Sequence, residues 1–383
     1  MNNADDPRES AHSGHDRPAI PYDRTEWLTG RGPTTDVVMS SRVRLARNLT
    51  ESSFPVRIGS ADATRVLDRV RPSVLAAGLA DRVMWVELHT SSKLDRDLLV
   101  ERHLISPQLA SGKVGSRRAT PSMPRAVAIG LPDERLSIMV NEEDHLRIQL
   151  IHSGLDLTGA MVAIDTIDDR LESSLDFAYH PRFGYLTSCP TNVGTGARLS
   201  VMLHLPALRM TGDLAKVKNA TDDLGLALRG FHGEDSEGSG DFFQLSNQTT
   251  LGKSEQVLLH EMEQDIVPRV VEYERRSRQL LLDRRHDATT DEVWRAYGVL
   301  ASARLLTASE AMKLLSRLRL GVLLGIIPGL SEQTVNLLML LVQPAHLQSV
   351  VGSELSQRER RVKRADLVRT RLAAGAQPKA SDA

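Results

Sequence analysis

The chain has 383 residues, more than one hydrophobic core usually organises, so two domains are expected. Its 48 Lys and Arg nearly cancel its 49 Asp and Glu, and a net charge of −1 excludes the uniformly basic character of a general nucleic-acid binder. One cysteine, Cys189, rules out an intrachain disulfide or a cysteine-based zinc site and suits the cytoplasm.

Residues 1–34 are polar and without hydrophobic period, which reads as a disordered tail. They carry no apolar signal-peptide core, and no run of about 18 uncharged apolar residues follows, so a membrane span is not expected. From 35 to 262 the pattern is mixed. "RVMWVELHT" and "RLSIMV" alternate like strands, "ATRVLDRVRPSVLAAGL" has helical spacing, and "TNVGTGAR" and "RGFHGEDSEGSGD" are Gly-rich breaks. From 263 to 373 strands vanish and apolar residues recur at helical spacing. Helix starts are expected at Thr290 before "DEVW", at Thr307 with Glu310 in a capping box, and at Ser331, while Pro268 should kink or split its helix. "SQRERRVKRADLVRTRL" holds seven basic and two acidic residues and reads foremost as a solvated helix face, and 374–383 as a disordered tail. The fold class is therefore α+β followed by an all-helical domain.

Two nucleotide-binding patterns are nearly spelled and fail. "LGKSE" needs a glycine at the position held by Asn247, and "GTGARL" has Leu199 where the third glycine of a dinucleotide fingerprint belongs. Arginine is the more informative residue. In "SSRVRLARN" Arg42 and Arg44 share one face of an extended chain, with Val43 and Leu45 on the other, and in "HLRIQL" Arg147 shares a face with Gln149. Arg198 follows one Gly-rich turn and Arg229 precedes another. A planar, permanently charged guanidinium binds oxyanions through paired hydrogen bonds, so five of them converging would hold a polyphosphate without a P-loop; separately, each would be an ordinary surface ion-pair partner. "VNEEDHLRIQ" puts Glu142 and Glu143 at a strand end, as solvated turn residues or as a proton acceptor and a cation-holding partner.

"SSRVRLARN", "ERHLISPQLASG", "VNEEDHLRIQ", "GYLTSCPTNVGTGARLSVMLHLPAL" and "RGFHGEDSEGSGDFFQLSNQTTLGKSE", in this order over most of residues 36–260, resemble the catalytic domain of phosphagen kinases, most closely the bacterial protein-arginine kinase (McsB) family. The segment "SGKVGSRRATPSMPR" (111–125) is a longer insertion, expected to extend a surface loop. The resemblance implies a mainly antiparallel sheet flanked by helices, and transfer of the γ-phosphoryl group of Mg-ATP to a protein arginine. It implies Glu143 as the base and Glu234 as a second carboxylate clamping the guanidinium, with Glu142 and Cys189 close to the substrate. Arg42, Arg44, Arg147, Arg198 and Arg229 match the phosphate cage, and His103 matches a ring beside the adenine. Ser40, Ser41 and Val43, then Leu199, Ser200, Val201 and Met202, then Gly230, Phe231, His232 and Gly233 complete the implied nucleotide site. Mg²⁺ is implied to ride on the nucleotide, with no metal site of the protein's own.

By the same resemblance the helical domain supports dimerisation and substrate docking, and modified proteins would be marked for a Clp protease in stress response and protein quality control. A heat-shock repressor and a zinc-binding activator are the implied partners. Arg360 and Arg364 are candidates for a phosphoarginine allosteric site, but Arg361 stands where that motif has an aspartate, which argues against such feedback. Two alternatives remain: a small-molecule guanidino kinase, disfavoured because only about 35 residues precede the first arginine motif, and a non-catalytic adaptor, disfavoured because every acidic and arginine position is present.

Overall fold

The computed structural model describes residues 25–113, 120–230, 239–248 and 250–375. An eight-stranded antiparallel sheet has the order β2-β3-β4-β5-β1-β8-β10-β9. Its strands are β1 (Val38–Arg47), β2 (Arg82–Glu87), β3 (Ala126–Leu131), β4 (Leu136–Val140), β5 (Leu146–Ser153), β8 (Ala197–His204), β9 (Leu226–Gly230) and β10 (Phe242–Asn247). A two-residue pair, β6 (Tyr179–His180) and β7 (Gly184–Tyr185), stands apart. The helices are α1 (Ser60–Ala76), α2 (Lys93–Glu101), α3 (Pro107–Ser111), α4 (Leu157–Glu172), α5 (Pro206–Thr211), α6 (Leu214–Asp223) and α7 (Glu255–Leu259), then α8 (Val267–Ser302), α9 (Ala308–Leu323), α10 (Glu332–Leu341), α11 (Pro344–Val351) and α12 (Gln357–Gly375). This is the α+β architecture expected, with a helical C-terminal region.

The two faces of the sheet do different work because side chains alternate along each strand. Val43, Leu45, Leu146, Ile148, Leu199, Val201 and Leu245 point to one face and form the main core with α1, α4 and the first turns of α8. On the opposite face the β2–β3–β4 edge is covered by α2 and α3. Toward β8 and β10 the same face meets a second core, built by α8, α9, α10 and α12 and reaching the sheet through Met39 and Phe242. Between these two covers the sheet is left open, and a cavity forms.

Several expectations are corrected. Residues 25–34, assigned to the tail, are ordered: Trp27 and Leu28 pack against Ile151 and Leu340, and the Glu26 N–H donates to the Asp133 carbonyl. One apolar dipeptide anchors a segment whose average composition is polar. Thr290 caps nothing: the 36-residue α8 is two helical stretches joined across a kink at Arg285 (φ −138°), and Thr290 lies inside the second. Around Pro268 the helix does not stop. A π-helical segment, His260–Ile266, runs directly into α8, and the proline is the second residue after that change of hydrogen-bond pattern. The expected division at 262/263 therefore falls inside continuous helix. Thr307 and Ser331 do cap α9 and α10, accepting hydrogen bonds from the Glu310 and Thr334 N–H groups.

Candidate active site

The cavity measures about 590 Å³, a size that suits a small ligand, and the alternation of β1 decides what lines it. Arg44 lies opposite Arg198 on β8 and Gln149 on β5; Arg42 lies opposite Ser200; Arg229 lies opposite Gln244. Arg42, Arg44, Arg147, Arg198 and Arg229 thus come from β1, β5, β8 and, across β10, β9 to one wall.

Like charges this close need a reason to stay. Arg42 is held by neutral partners, donating from Nε to the Ser200 hydroxyl (3.2 Å) and from Nη2 to the Gln244 side-chain oxygen (2.6 Å). Burial, then Arg198 and Arg147, push its pKa down to about 10. Burial and the surrounding Arg42, Arg147 and Arg198 push Arg44 down much further. Burial, Arg229 and Arg147 also lower Arg198. The buried Nε atoms of Arg44 and Arg198 have no hydrogen-bond partner, and among the described residues no carboxylate pairs with Arg42, Arg44 or Arg198. Half-buried cations that no carboxylate bridges directly are costly, so this wall fits an anion with several oxygens.

Arg147 differs. Burial alone would lower its pKa, but Glu142, Glu143 and Asp144 outweigh burial and raise it. These carboxylates lie in the β4–β5 hairpin, whose turn is set by Asn141 in the left-handed region (φ 62°). The hairpin's charges have separate duties. Asp144 is buried and receives the Asn48 side-chain N–H and the Ser188 N–H, both at 2.7 Å. His145 accepts the Leu49 N–H at Nδ1, so its proton sits on Nε2 facing the Ser53 carbonyl; burial pushes its pKa down to about 4, despite the bond to Ser53. Glu142 is buried, accepts from the Ser106 hydroxyl (2.7 Å) and lies 2.6 Å from Arg147 Nη1. Only the Glu143 carboxylate reaches the cavity partly exposed, its Oε2 2.5 Å from Arg147 Nη2. Asp144 and His145 thus fasten the turn from inside, and Glu143 is the hairpin carboxylate partly exposed at the cavity.

The other end of the cavity is apolar. His103, itself at φ 61°, meets Trp27 edge to face with centroids 5.1 Å apart, and its carbonyl accepts from Gln149 Nε2. Met39, Met202 and Phe242 of the sheet and Met312, Met339, Leu340 and Gln343 of the helical region close that end. Sequence patterns gave no sign of Trp27, Gln244 or the helical contributors.

Some implied residues are not at the cavity. Ser41, Val43, Leu199 and Val201 point into the opposite core, and Ser41 is spent on the Gly154 carbonyl and the Asp156 N–H. β1 and β8 are paired on both sides, so their backbones are consumed as well. Ser40, Ser200 and Met202 are on the cavity's face, Ser40 bordering a small recess beside Arg42 and His103. Gly230 lines the cavity. Cys189 does not line it; its Sγ lies 3.1 Å from the Thr191 hydroxyl. Phe231, His232, Gly233 and Glu234 lie outside the described residues, as do positions 114–119 of the insertion. The rest of that insertion is fastened by Arg125, buried and donating to the Leu109, Ala110, Pro121 and Met123 carbonyls.

Arg360 and Arg364 form no open anion site. Arg364 is buried, with Nε and Nη1 spent on the Val342, Leu306 and Arg360 carbonyls, and Arg360 donates to the Leu355 carbonyl. Arg364 is thus a staple for the end of α10. Among the described residues no group of three His, Cys, Asp or Glu side chains is placed to hold a metal ion.

Residues 67–277 match the ATP:guanido phosphotransferase C-terminal catalytic domain, and residues 286–383 match the protein-arginine kinase McsB C-terminal domain. The chain is 45% identical over 353 residues to a protein-arginine kinase of Symbiobacterium thermophilum, covering 91% of this chain and 97% of the relative. It is 40% identical over 350 residues to the protein-arginine kinase of Bacillus subtilis, covering 91% and 93%. Among solved structures it resembles the duplicated taurocyamine kinase of Schistosoma mansoni with bound transition-state analogue components. That match has a TM-score of 0.54 at 24% identity and spans 64% of this chain but only 34% of that longer one. A lombricine kinase matches with a TM-score of 0.53 at 21% identity over 67% of this chain and 71% of that one. At such identity these structural likenesses establish the fold.

Proposed function

The chain belongs to the protein-arginine kinase family, and on that premise we propose that the cavity transfers the γ-phosphoryl group of ATP to the guanidinium of arginine residues in proteins. One observation supports this placement of the reaction: five guanidinium groups line one cavity, three of them without a carboxylate partner among the described residues, and Glu143 stands at their edge.

The chemical obstacle is the acceptor. A guanidinium with a pKa near 13.8 is neutral in only about one molecule in 10⁷ at neutral pH, roughly 9 kcal/mol uphill. Glu143 takes a proton from the acceptor nitrogen as the N–P bond forms and the bond from the γ-phosphorus to the bridging oxygen breaks, with ADP leaving. Arg42, Arg44, Arg147, Arg198 and Arg229 hold the phosphates and oppose the charge that builds on the transferred group. Mg²⁺, carried by the nucleotide, would add neutralisation of the phosphate oxygens. His103 offers a flat ring to the base. Glu142 orients Arg147, and Glu234 is the second carboxylate for the guanidinium.

In the wider assignment, the protein acts in the cytoplasm as a homodimer in stress response, marking proteins for a Clp protease, with a heat-shock repressor and a zinc-binding activator as partners. No single helix among the described residues is long and apolar enough to cross a membrane. The test is incubation with Mg-ATP and an arginine-rich protein, followed by mass spectrometry for acid-labile phosphate on arginine. Efficient phosphorylation of free arginine with none on protein would favour a small-molecule guanidino kinase. No transfer to either acceptor would favour an adaptor.

A further inference from the structure

The cavity is polar at one end and apolar at the other, and the register shows how a nucleotide would lie. Arg44 and Arg198 face each other at one end, and along β1 the rows then pass through Arg42–Ser200 to Ser40–Met202, a row that continues through Gln244 to Arg229 on β9, with Phe242 beyond. A triphosphate at the arginines leaves its base between His103 and Trp27 on one side and Met312 and Met339 of the helical region on the other. That enclosure is largely apolar; the helical region contributes one polar side chain, Gln343, facing His103 and Glu101 on the opposite wall.

Gln343 is half-buried and occupies the cap position of α11. Its side-chain nitrogen donates to the Met339 carbonyl at 3.0 Å. A carbonyl cannot accept from an amide oxygen, so this bond fixes the amide's orientation and leaves Oε1 as an acceptor. The start of α11 is also fixed to the opposite wall. The Glu101 carboxylate accepts the Ala345 N–H (2.8 Å), the His346 N–H (2.9 Å) and His346 Nδ1–H (2.6 Å), two residues along the chain from His103. Arg102 Nε donates to His346 Nε2 at 3.2 Å. Gln343 and His103 are therefore held at a set separation across the base end.

We propose that Gln343 is a specificity-determining residue: its side-chain oxygen accepts a hydrogen bond from the exocyclic amino group of adenine, so the helical region reads the base. Guanine presents an oxygen at the corresponding position, and two acceptors facing each other in an apolar enclosure disfavour it. The inference rests on the arginine wall holding the triphosphate, and the two are separable by experiment.

Binding of ATP, GTP and inorganic tripolyphosphate to the full chain is measured by calorimetry for the wild type, Gln343→Leu, Gln343→Ala and Arg44→Ala, with thermal unfolding confirming each fold. Loss of one hydrogen bond to the base should weaken ATP by about 2- to 10-fold in both Gln343 variants, lower the ATP-to-GTP preference, and leave tripolyphosphate unchanged. An unmoved ATP-to-GTP ratio, or a parallel loss of tripolyphosphate, overturns the role given to Gln343. Arg44→Ala should weaken all three ligands. Undiminished tripolyphosphate binding in that variant would instead refute the arginine wall, whatever Gln343 does.

Discussion

Glu143 Oε2 lies 2.5 Å from Nη2 of Arg147, so the carboxylate assigned as base is tethered to an arginine assigned to phosphate. The pairing orients the carboxylate. Glu143→Ala should lower phosphoryl transfer by about 10²- to 10⁴-fold, the usual worth of a positioned base. ATP affinity should hold or rise, because Arg147 loses a competing anion while keeping Glu142. Single-turnover kinetics beside equilibrium binding checks this, and unchanged turnover would remove Glu143 from the proposed role.

Arg44 supplies a second prediction, in which stability and function move in opposite directions. The residue is half-buried, its Nε is buried and unpartnered, and Arg42, Arg147 and Arg198 surround it. Replacing a buried, poorly compensated charge by an apolar side chain of similar volume commonly stabilises by about 1–4 kcal/mol. Arg44→Met should therefore raise the unfolding midpoint of the nucleotide-free protein. It should also abolish the further rise that a non-hydrolysable ATP analogue gives the wild type. A midpoint below wild type without nucleotide would show that Arg44 holds the fold together.

How much of this site could be read beforehand follows from strand geometry. A period of two in "SSRVRLARN" and "HLRIQL" suffices to put the arginines on one face, and the register then brings Arg198 opposite Arg44. The same period puts the side chains of Ser41, Val43, Leu199 and Val201 on the face away from the cavity: a contiguous motif contains both faces of its strand. Trp27 was hidden in a polar segment, and Met312, Met339 and Gln343 carry no local mark of a site, since only tertiary packing brings them there. Thr290 misled because a Thr before an acidic helical run looks like a cap even inside a long helix. Arg364 misled because a basic run does not reveal which guanidinium turns inward.

The hairpin that carries Glu143 should make stability depend on acid. His145 has its pKa lowered to about 4, from an ordinary 6.5, by burial. The neutral ring is favoured in the fold, so its contribution is complete above pH 6.5 and is lost as pH falls toward 4, about 3 kcal/mol over the window. Asp144 next to it has its pKa raised by burial, which opposes the trend because the folded state then binds a proton more readily. Urea midpoints between pH 7 and 4 should fall less steeply in His145→Gln than in the wild type. Parallel slopes would mean that the ring is already charged in the native protein.

Arg47, three residues beyond Arg44 on β1, is arranged so that lysine cannot replace it. Its Nε and Nη2 grip Asp168 of α4 (Nη2 at 2.6 Å), and its Nη1 donates to the Ala46 and Thr195 carbonyls, both at 3.0 Å. The guanidinium lies 3.5 Å over the Tyr185 ring, and Gly196 (φ 68°) passes so close that a Cβ there would come within 2.7 Å of Nη1. This one side chain therefore joins α4 to the turn that launches β8 and aims Arg198. Lysine is a single point charge: it can satisfy Asp168 or one carbonyl, and it loses the planar stack. With buried acceptors left unmet at about 1–3 kcal/mol each, Arg47→Lys should cost about 2–4 kcal/mol in urea unfolding. Because the Arg198 strand loses its anchor, ATP binding should weaken as well, although Arg47 itself is outside the cavity. A variant as stable as wild type would show that the turn holds its shape without the guanidinium.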